Sequence, residues 1–313
     1  MSGRRTLPKP SPSTPESTSK KRMKLIPYIQ AMVNGLLVGS LYSVIAMGLT
    51  IIFGVMRVIN MAHGELIMLG MYVAFWVFTV FGMGQMAALL ISLPLFLVLG
   101  AAIYGGVVNR VERRAGEMGT LLVTAGLSYL IANAAQLVWK ADFRSLPSAL
   151  TTRSLFLGGI SLNYSLLWAF LAAVMLTAAT YLFLIYTDAG RAIRATAQDR
   201  EAAQLMGVQI HRINMLAFAL GTALAGMAGV LLTPVFYVYP YVGRVFLVKA
   251  FVVVVVGGMG SIVGAWLGGL LFGIVESVAC LFIPSGYRDA VGLVVFLLVL
   301  LFKPSGLFGR SRV

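Results

Sequence analysis

Acidic residues, histidine and cysteine are nearly missing from this chain. Of 313 residues, 10 are Asp or Glu, 2 are His and 1 is Cys. The lone Cys280 falls inside an apolar stretch and supports neither a disulfide framework nor a Cys-based metal site. His63 and His211 stand far apart, and no metal cluster or Ser-His-Asp arrangement can be assembled from them. There is no Gly-x-x-x-x-Gly-Lys-Ser/Thr phosphate loop, so ATP must be bound by another subunit if it is used at all. Nothing supports enzymatic chemistry within the chain.

Charge of either sign is also scarce, at 11% of residues against roughly a quarter in a soluble domain. Hydrophobic residues make up 59%. They occur in successive runs, many of about 20 residues, the length a helix needs to cross a bilayer. Barrel strands would instead give alternating segments of about 10 residues, and such alternation does not dominate. The composition therefore predicts an all-α, polytopic transmembrane helical bundle. The net charge of +14 does not indicate nucleic acid, because Lys and Arg are confined to short stretches between apolar runs and to the two ends. That distribution is the signature of cytoplasmic loops.

Residues 1–24 are rich in Pro, Ser and Thr and carry Arg4, Arg5, Lys9, Lys20, Lys21, Arg22 and Lys24, with Glu16 the only acid. They are expected to be a disordered, basic, cytoplasmic tail preceding one transmembrane domain over 25–313. The run beginning at Tyr28 is too long for the core of a cleaved signal peptide and reads as a retained first helix.

Apolar segments follow at 28–46, 48–59, 65–81, 86–108, 119–139, 166–187, 213–237, 245–256, 262–283 and 290–302. The segments 48–59 and 245–256 are too short to span. Each precedes a polar or Gly-rich break, at 60–64 and 257–261, and then a longer helix. The basic stretches 109–117, 188–212 and the C-terminal end are expected on the cytoplasmic side with the N-terminus. With both termini inside, parity requires the short segments to dip in and their successors to climb back. This gives about eight full helices and two half-helices, with 140–164 outside. The same order near both ends suggests a weak internal repeat, and broken helices in transporters line cavities.

Three constellations carry the functional reading. In the first break, Asn60, His63 and Glu65 put an amide, an imidazole and a carboxylate in or near the apolar zone. They either line a translocation path or satisfy backbone groups freed at the break, with Glu65 favoured by the positive end of its helix. In the second break, Gly257, Gly258 and Gly260 are path candidates, while Gly260, Gly264 and Gly268 form a stripe suited to close helix packing. Glu276 and Lys249 read as a buried structural ion pair.

The third constellation is the Ala-rich stretch 187–208. Its helix formers and the Gly after Met206 predict a short surface helix over 190–207, joined by tight corners to its neighbours and able to receive force from a docked partner. Within it, Glu201-Ala202-Ala203 followed by Gly207 resembles the EAA loop of ABC importer permeases. The Ile-x-Leu-Pro ending of the general pattern is absent, as is usual in the branched-chain amino acid class. The runs 190–195, 60–65, 69–72, 221–229 and 257–261 also resemble that class. The likeness covers nearly everything from 28 to 309 and is greatest to the LivH-type permease, with urea, short-amide and ribose-type sugar permeases as wider relatives.

The resemblance implies a membrane subunit of an ATP-driven importer in a bacterial inner membrane, working by alternating access. Its partners would be a second permease (LivM-like or a second copy), two ATP-binding subunits that hold ATP and Mg, and an external substrate-binding protein; no cofactor or metal would be held by this chain. Arg191, Arg194 and Glu201 would touch the ATPase, while Ala202, Ala203 and Gly207 would permit close packing on a coupling helix that starts at Gly190. A membrane-embedded enzyme using His63 and Glu65 for proton transfer, or a passive channel, are the alternatives from other classes.

Overall fold

The computed structural model describes residues 15–146, 154–157, 159–303 and 305–309. Eleven α-helices and one hairpin make up the described elements: α1 (Pro15–Met56), α2 (His63–Phe81), α3 (Gln85–Ile103), α4 (Asn109–Trp139), β1 (Ser154–Leu157), β2 (Ile160–Asn163), α5 (Tyr164–Tyr186), α6 (Asp188–Gln198), α7 (Arg200–Leu205), α8 (Ile210–Leu232), α9 (Val242–Gly257), α10 (Ile262–Ala279) and α11 (Arg288–Phe302). Six apolar helical segments, one of which runs through both α3 and α4, are long enough to cross a membrane. The expected polytopic all-helical bundle is what forms, with the two-stranded hairpin as a small exception.

α1 and α8 occupy the centre. Leu41, Tyr42, Val44 and Ile45 of α1 are wholly buried, and α8 is almost continuously buried from Ala217 to Leu232. In lipid, helices associate through close backbone approach, which needs small residues at the crossings. A Cβ on Gly39 would lie 2.7 Å from the Gly269 carbonyl of α10, and one on Gly70 of α2 would lie 2.1 Å from the Gly226 carbonyl of α8. The stripe of Gly264 and Gly268 serves the same purpose, packing α10 on Gly257 at the end of α9.

The first half-helix does not exist as a separate element. Segments 28–46 and 48–59 are one helix, because Gly48 is accommodated within α1 against the Gly221 carbonyl of α8. The helix also starts earlier than composition suggested, at Pro15, a residue suited to a first helical turn; 1–14 lie outside the described residues. The basic segment 109–117 is not an open loop either. α3 passes through a π-helical turn (Tyr104–Val108) straight into α4, and the corner falls at Gly116 with φ 62°.

Fusing two segments into α1 changes the parity. At one end of the bundle Gln30 exchanges two hydrogen bonds with Ser161 of β2, donating from Nε2 at 2.7 Å and accepting from the backbone N–H at 2.8 Å. At the other end the Cβ position of Gly54 is 3.8 Å from Ala197 of α6, and the backbone of Gly258 approaches Gly306 and Gly309. α5 begins at the hairpin and leads into α6, a rise of about 34 Å, so these are opposite ends. The start of α1 and the C-terminal segment therefore do not share a side, which corrects the expectation for the two termini. Segment 140–164 does lie at the end away from α6, apart from 147–153 and 158, which fall outside the described residues.

Candidate functional site

The first break sits deep in the bundle. After α1 the chain turns at Arg57 and climbs back before α2 begins. Asn60, His63 and Glu65 are all buried to within 1%. Asn60 Oδ1 accepts from the Ala62 N–H at 3.1 Å, a local turn that replaces a helix cap. His63 Nε2 donates to the Ile45 carbonyl at 3.0 Å, nine residues back along α1 from Gly54, so the imidazole sits about 14 Å from the α6 end. Glu65 does not cap its own helix; its Oε1 accepts from Ser128 Oγ of α4 at 3.2 Å. Among the described residues, one polar atom on each has no hydrogen-bond partner: Asn60 Nδ2, His63 Nδ1 and Glu65 Oε2.

α4 supplies the facing surface. Thr120, Thr124 and Ser128 recur every fourth residue, and Thr124 Oγ1 accepts from the Met61 N–H at 3.3 Å. This polar stripe within an apolar helix was readable from sequence but was not singled out. α9 closes the group, since a Cβ on Gly64 would lie 2.3 Å from the Gly243 carbonyl.

The second break lies elsewhere. Gly257, Gly258 and Gly260 are at the α6 end, where the Leu307 N–H donates to Val256 O at 2.7 Å and the backbone of Gly309 covers Gly258. The Cβ position of Gly260 approaches only Gly54, at 3.8 Å. The two breaks are thus not at one depth, and the glycines of the second seat a C-terminal strap.

Above it the expected Lys249–Glu276 pair is present and larger than foreseen. Glu276 pairs with Lys249 and Arg288, the latter at 3.3 Å, and accepts from the Tyr42 hydroxyl at 2.9 Å. Lys249 also reaches Asp289 at 3.0 Å. With Lys249 and Glu276 both buried, each charge is compensated, as burial in this medium demands.

The stretch 187–208 forms two short helices, not one. Asp199, at φ −146°, ends α6 and caps α7 by accepting from the Glu201 and Ala202 N–H groups at 3.0 Å. The expected residues divide between two jobs. Gly190 and Ala203 face inward, and the exposed Arg194 reaches back to α5. A Cβ on Gly190 would meet the Phe183 carbonyl at 2.4 Å, Arg194 Nε donates to the Leu184 carbonyl at 3.0 Å at the end of α5, and Ala203 is 5% exposed. Arg191, Glu201 and Ala202 face outward with Leu205 and Met206, which are 88% and 84% exposed. Gly207, at φ 87° with open space around it, makes the corner into α8.

One residue absent from the sequence reading ties these helices to the bundle. Glu112 of α4 accepts from Arg200 at 3.1 Å, Asn214 of α8 at 2.7 Å and the Tyr104 hydroxyl at 2.9 Å. Its place in the basic stretch 109–117 carries no sequence signal of that role.

Residues 31–302 match the family described as branched-chain amino acid transport system / permease component. The chain is 35% identical over 298 residues to the high-affinity branched-chain amino acid transport system permease protein BraD of Pseudomonas aeruginosa, covering 91% of this chain and 97% of that one. It is 35% identical over 302 residues to LivH of Escherichia coli K12, with the same coverage. A probable LivH of Methanocaldococcus jannaschii is 26% identical over 289 residues, covering 86% and 89%.

Proposed function

The chain belongs to the branched-chain amino acid transport permease family, and from that premise we propose that it is the LivH-type membrane subunit of an ATP-driven importer of branched-chain amino acids. The observation that carries the coupling is the exposed tip of α7. Leu205 and Met206 present large apolar side chains at the end of α7, the helix that also carries the exposed Glu201, and exposed apolar groups rimmed by charge mark a docking surface.

In this reading the α6–α7 end faces the cytoplasm. Arg57, Arg110, Arg113, Arg114, Arg191 and Arg212 gather there, in keeping with the positive-inside rule. Two ATP-binding subunits, holding ATP and Mg, dock on α7; a second permease completes the passage; and an external binding protein delivers substrate at the hairpin end of a bacterial inner membrane. This chain itself hydrolyses nothing.

Motion at α7 reaches the bundle through Arg200 and Glu112, which join it to α4, α8 and the π-helical turn after α3. Asn60, His63 and Glu65, with their unpartnered atoms at depth, flank the passage. ATP-driven closure then favours one packing of these helices over another.

The test is isolation of the intact complex through a tag on this chain, followed by reconstitution. ATPase subunits should co-purify, and leucine with the binding protein should stimulate hydrolysis more than urea or ribose does. Leucine flux without nucleotide, or a chain that purifies without an ATPase, overturns the reading.

A further inference from the structure

α4 is held to the bundle by little packing. Of its 31 residues only Thr120, Thr124, Ala132 and Ala135 are buried. What attaches it is a set of polar and aromatic contacts: Thr124 with the Met61 N–H, Ser128 with Glu65, Tyr129 with Arg244, Gln136 with the Tyr241 hydroxyl, and Trp139 stacked on Tyr72. The helix is therefore docked by a few separable interactions rather than by an interdigitated apolar seam.

The opposite holds where α2 meets α9. A Cβ on Gly64 would lie 2.3 Å from the Gly243 carbonyl, and one on Gly243 would lie 2.4 Å from the Gly64 carbonyl, so the two backbones are in direct contact. Glu65 and Arg244 are the residues that follow those two glycines. Both are held by α4, through consecutive residues of it. Ser128 donates to Glu65 Oε1 at 3.2 Å, and the Arg244 guanidinium lies over the rings of Tyr129 and Tyr241, 5.2 Å and 5.0 Å from their centroids.

Two opposite charges thus stand near each other without being paired. Arg244 makes no ion pair among the described residues, although its charge acts on Glu65. Glu65 Oε2, without a hydrogen-bond partner among those residues, faces α9, 2.8 Å from where a Cβ of Gly243 would be. When α4 withdraws, Ser128 and Tyr129 leave together. Glu65 is then a buried carboxylate that must find compensation in this medium, and Arg244 has lost a ring that held it.

We propose that Glu65 and Arg244 form a partner-exchange switch: α4 docked holds them apart through Ser128 and Tyr129, and α4 withdrawn leaves them paired with each other. The exchange gives the bundle two discrete arrangements between which a ligand or partner can choose. Its link to the surface is in place. α4 bends at Gly116, and before that corner Glu112 receives Arg200 of α7. The switch rests on the reading that α7 takes the force of ATP-driven closure, and supplies the element within the bundle that responds.

Spin labels on Leu122→Cys of α4 and Val80→Cys of α2, both at exposed positions, in a Cys280→Ser background, report the distance between the two helices by double electron–electron resonance. In the intact complex, ATP with vanadate should add a second, distinct distance. Tyr129→Leu should populate that second distance about threefold more without nucleotide, because a cation–ring contact is lost, whereas Tyr129→Phe keeps the ring and should match the parent. Glu65→Gln keeps an acceptor for Ser128 but cannot pair with Arg244. It should hold the first distance even with ATP and vanadate. Displacement in opposite directions by Tyr129→Leu and Glu65→Gln is what partner exchange demands; residues that only stabilise the fold would shift the populations the same way. One unchanged distance in every form, equal shifts by Tyr129→Leu and Tyr129→Phe, or a second distance still reached by Glu65→Gln overturns the switch and leaves the importer intact. A chain that purifies without an ATPase overturns the importer, and Tyr129→Leu without nucleotide still tests the exchange.

Discussion

Arg200, the first residue of α7, donates to the carboxylate of Glu112 on α4 at 3.1 Å, bridging 88 positions of sequence. The same carboxylate receives Asn214 and Tyr104, so a single acid joins a surface helix to three parts of the bundle.

Glu112→Ala leaves three donors without their acceptor. Unsatisfied groups of this kind cost about 1–3 kcal/mol, so the variant should unfold at a lower temperature in detergent. ATP hydrolysis by the complex that carries it should also respond less to substrate than hydrolysis by the Arg200→Ala complex, which loses only the more exposed arm. Equal coupling in both variants would remove Glu112 from the transmission route.

The two glycines bounding this region should respond differently. Gly190→Val places side-chain atoms against the α5 backbone, where even a Cβ lies 2.4 Å from a carbonyl oxygen, and should abolish accumulation of the protein. Gly207→Ala meets nothing within 4 Å and costs only the positive φ, about 1–2 kcal/mol. It should insert normally and lose part of its transport. Membrane immunoblots and uptake assays separate the two.

Lys249→Met should destabilise the bundle by about 3 kcal/mol, the lower part of the range for breaking a buried pair, because Arg288 and Tyr42 still hold Glu276. Removing both charges, as Lys249→Met with Glu276→Met, should recover part of that loss. A double variant no more stable than the single one would show that the pair is not the source.

At the α2–α8 crossing, Gly70→Ala has no room, with the Gly226 carbonyl 2.1 Å from the new carbon. Overpacking of this kind costs about 1–3 kcal/mol, and thermal unfolding of the purified protein should report it. A melting temperature equal to the parent's would mean the helices separate freely there.

Much of the architecture is legible in sequence because hydropathy and helix formation act locally. The long apolar runs fixed the membrane class, and the segments 166–187 and 213–237 correspond to α5 and α8 within a few residues. The Ala-rich stretch with its closing Gly207 announced a surface helix before α8, which forms as two short helices broken at Asp199. Gly48 misled, since a glycine reads as punctuation in one dimension but serves as a close-packing surface against Gly221 in three. That one reading added a crossing before α2, so the start of α1 lies at the opposite end from the one expected while the later crossings keep theirs.

The sequence by itself determined that this is a helical membrane protein, where most of its helices run and which permease class it resembles. Those properties depend on residue type, spacing and length along the chain. Only the tertiary structure decided that Gly190 and Ala203 turn inward while Leu205 and Met206 turn out, and that Glu112 is a junction. Such facts arise from contacts such as Gln30 with Ser161, 131 residues apart, whose energies depend on three-dimensional proximity and leave no periodic trace in the chain.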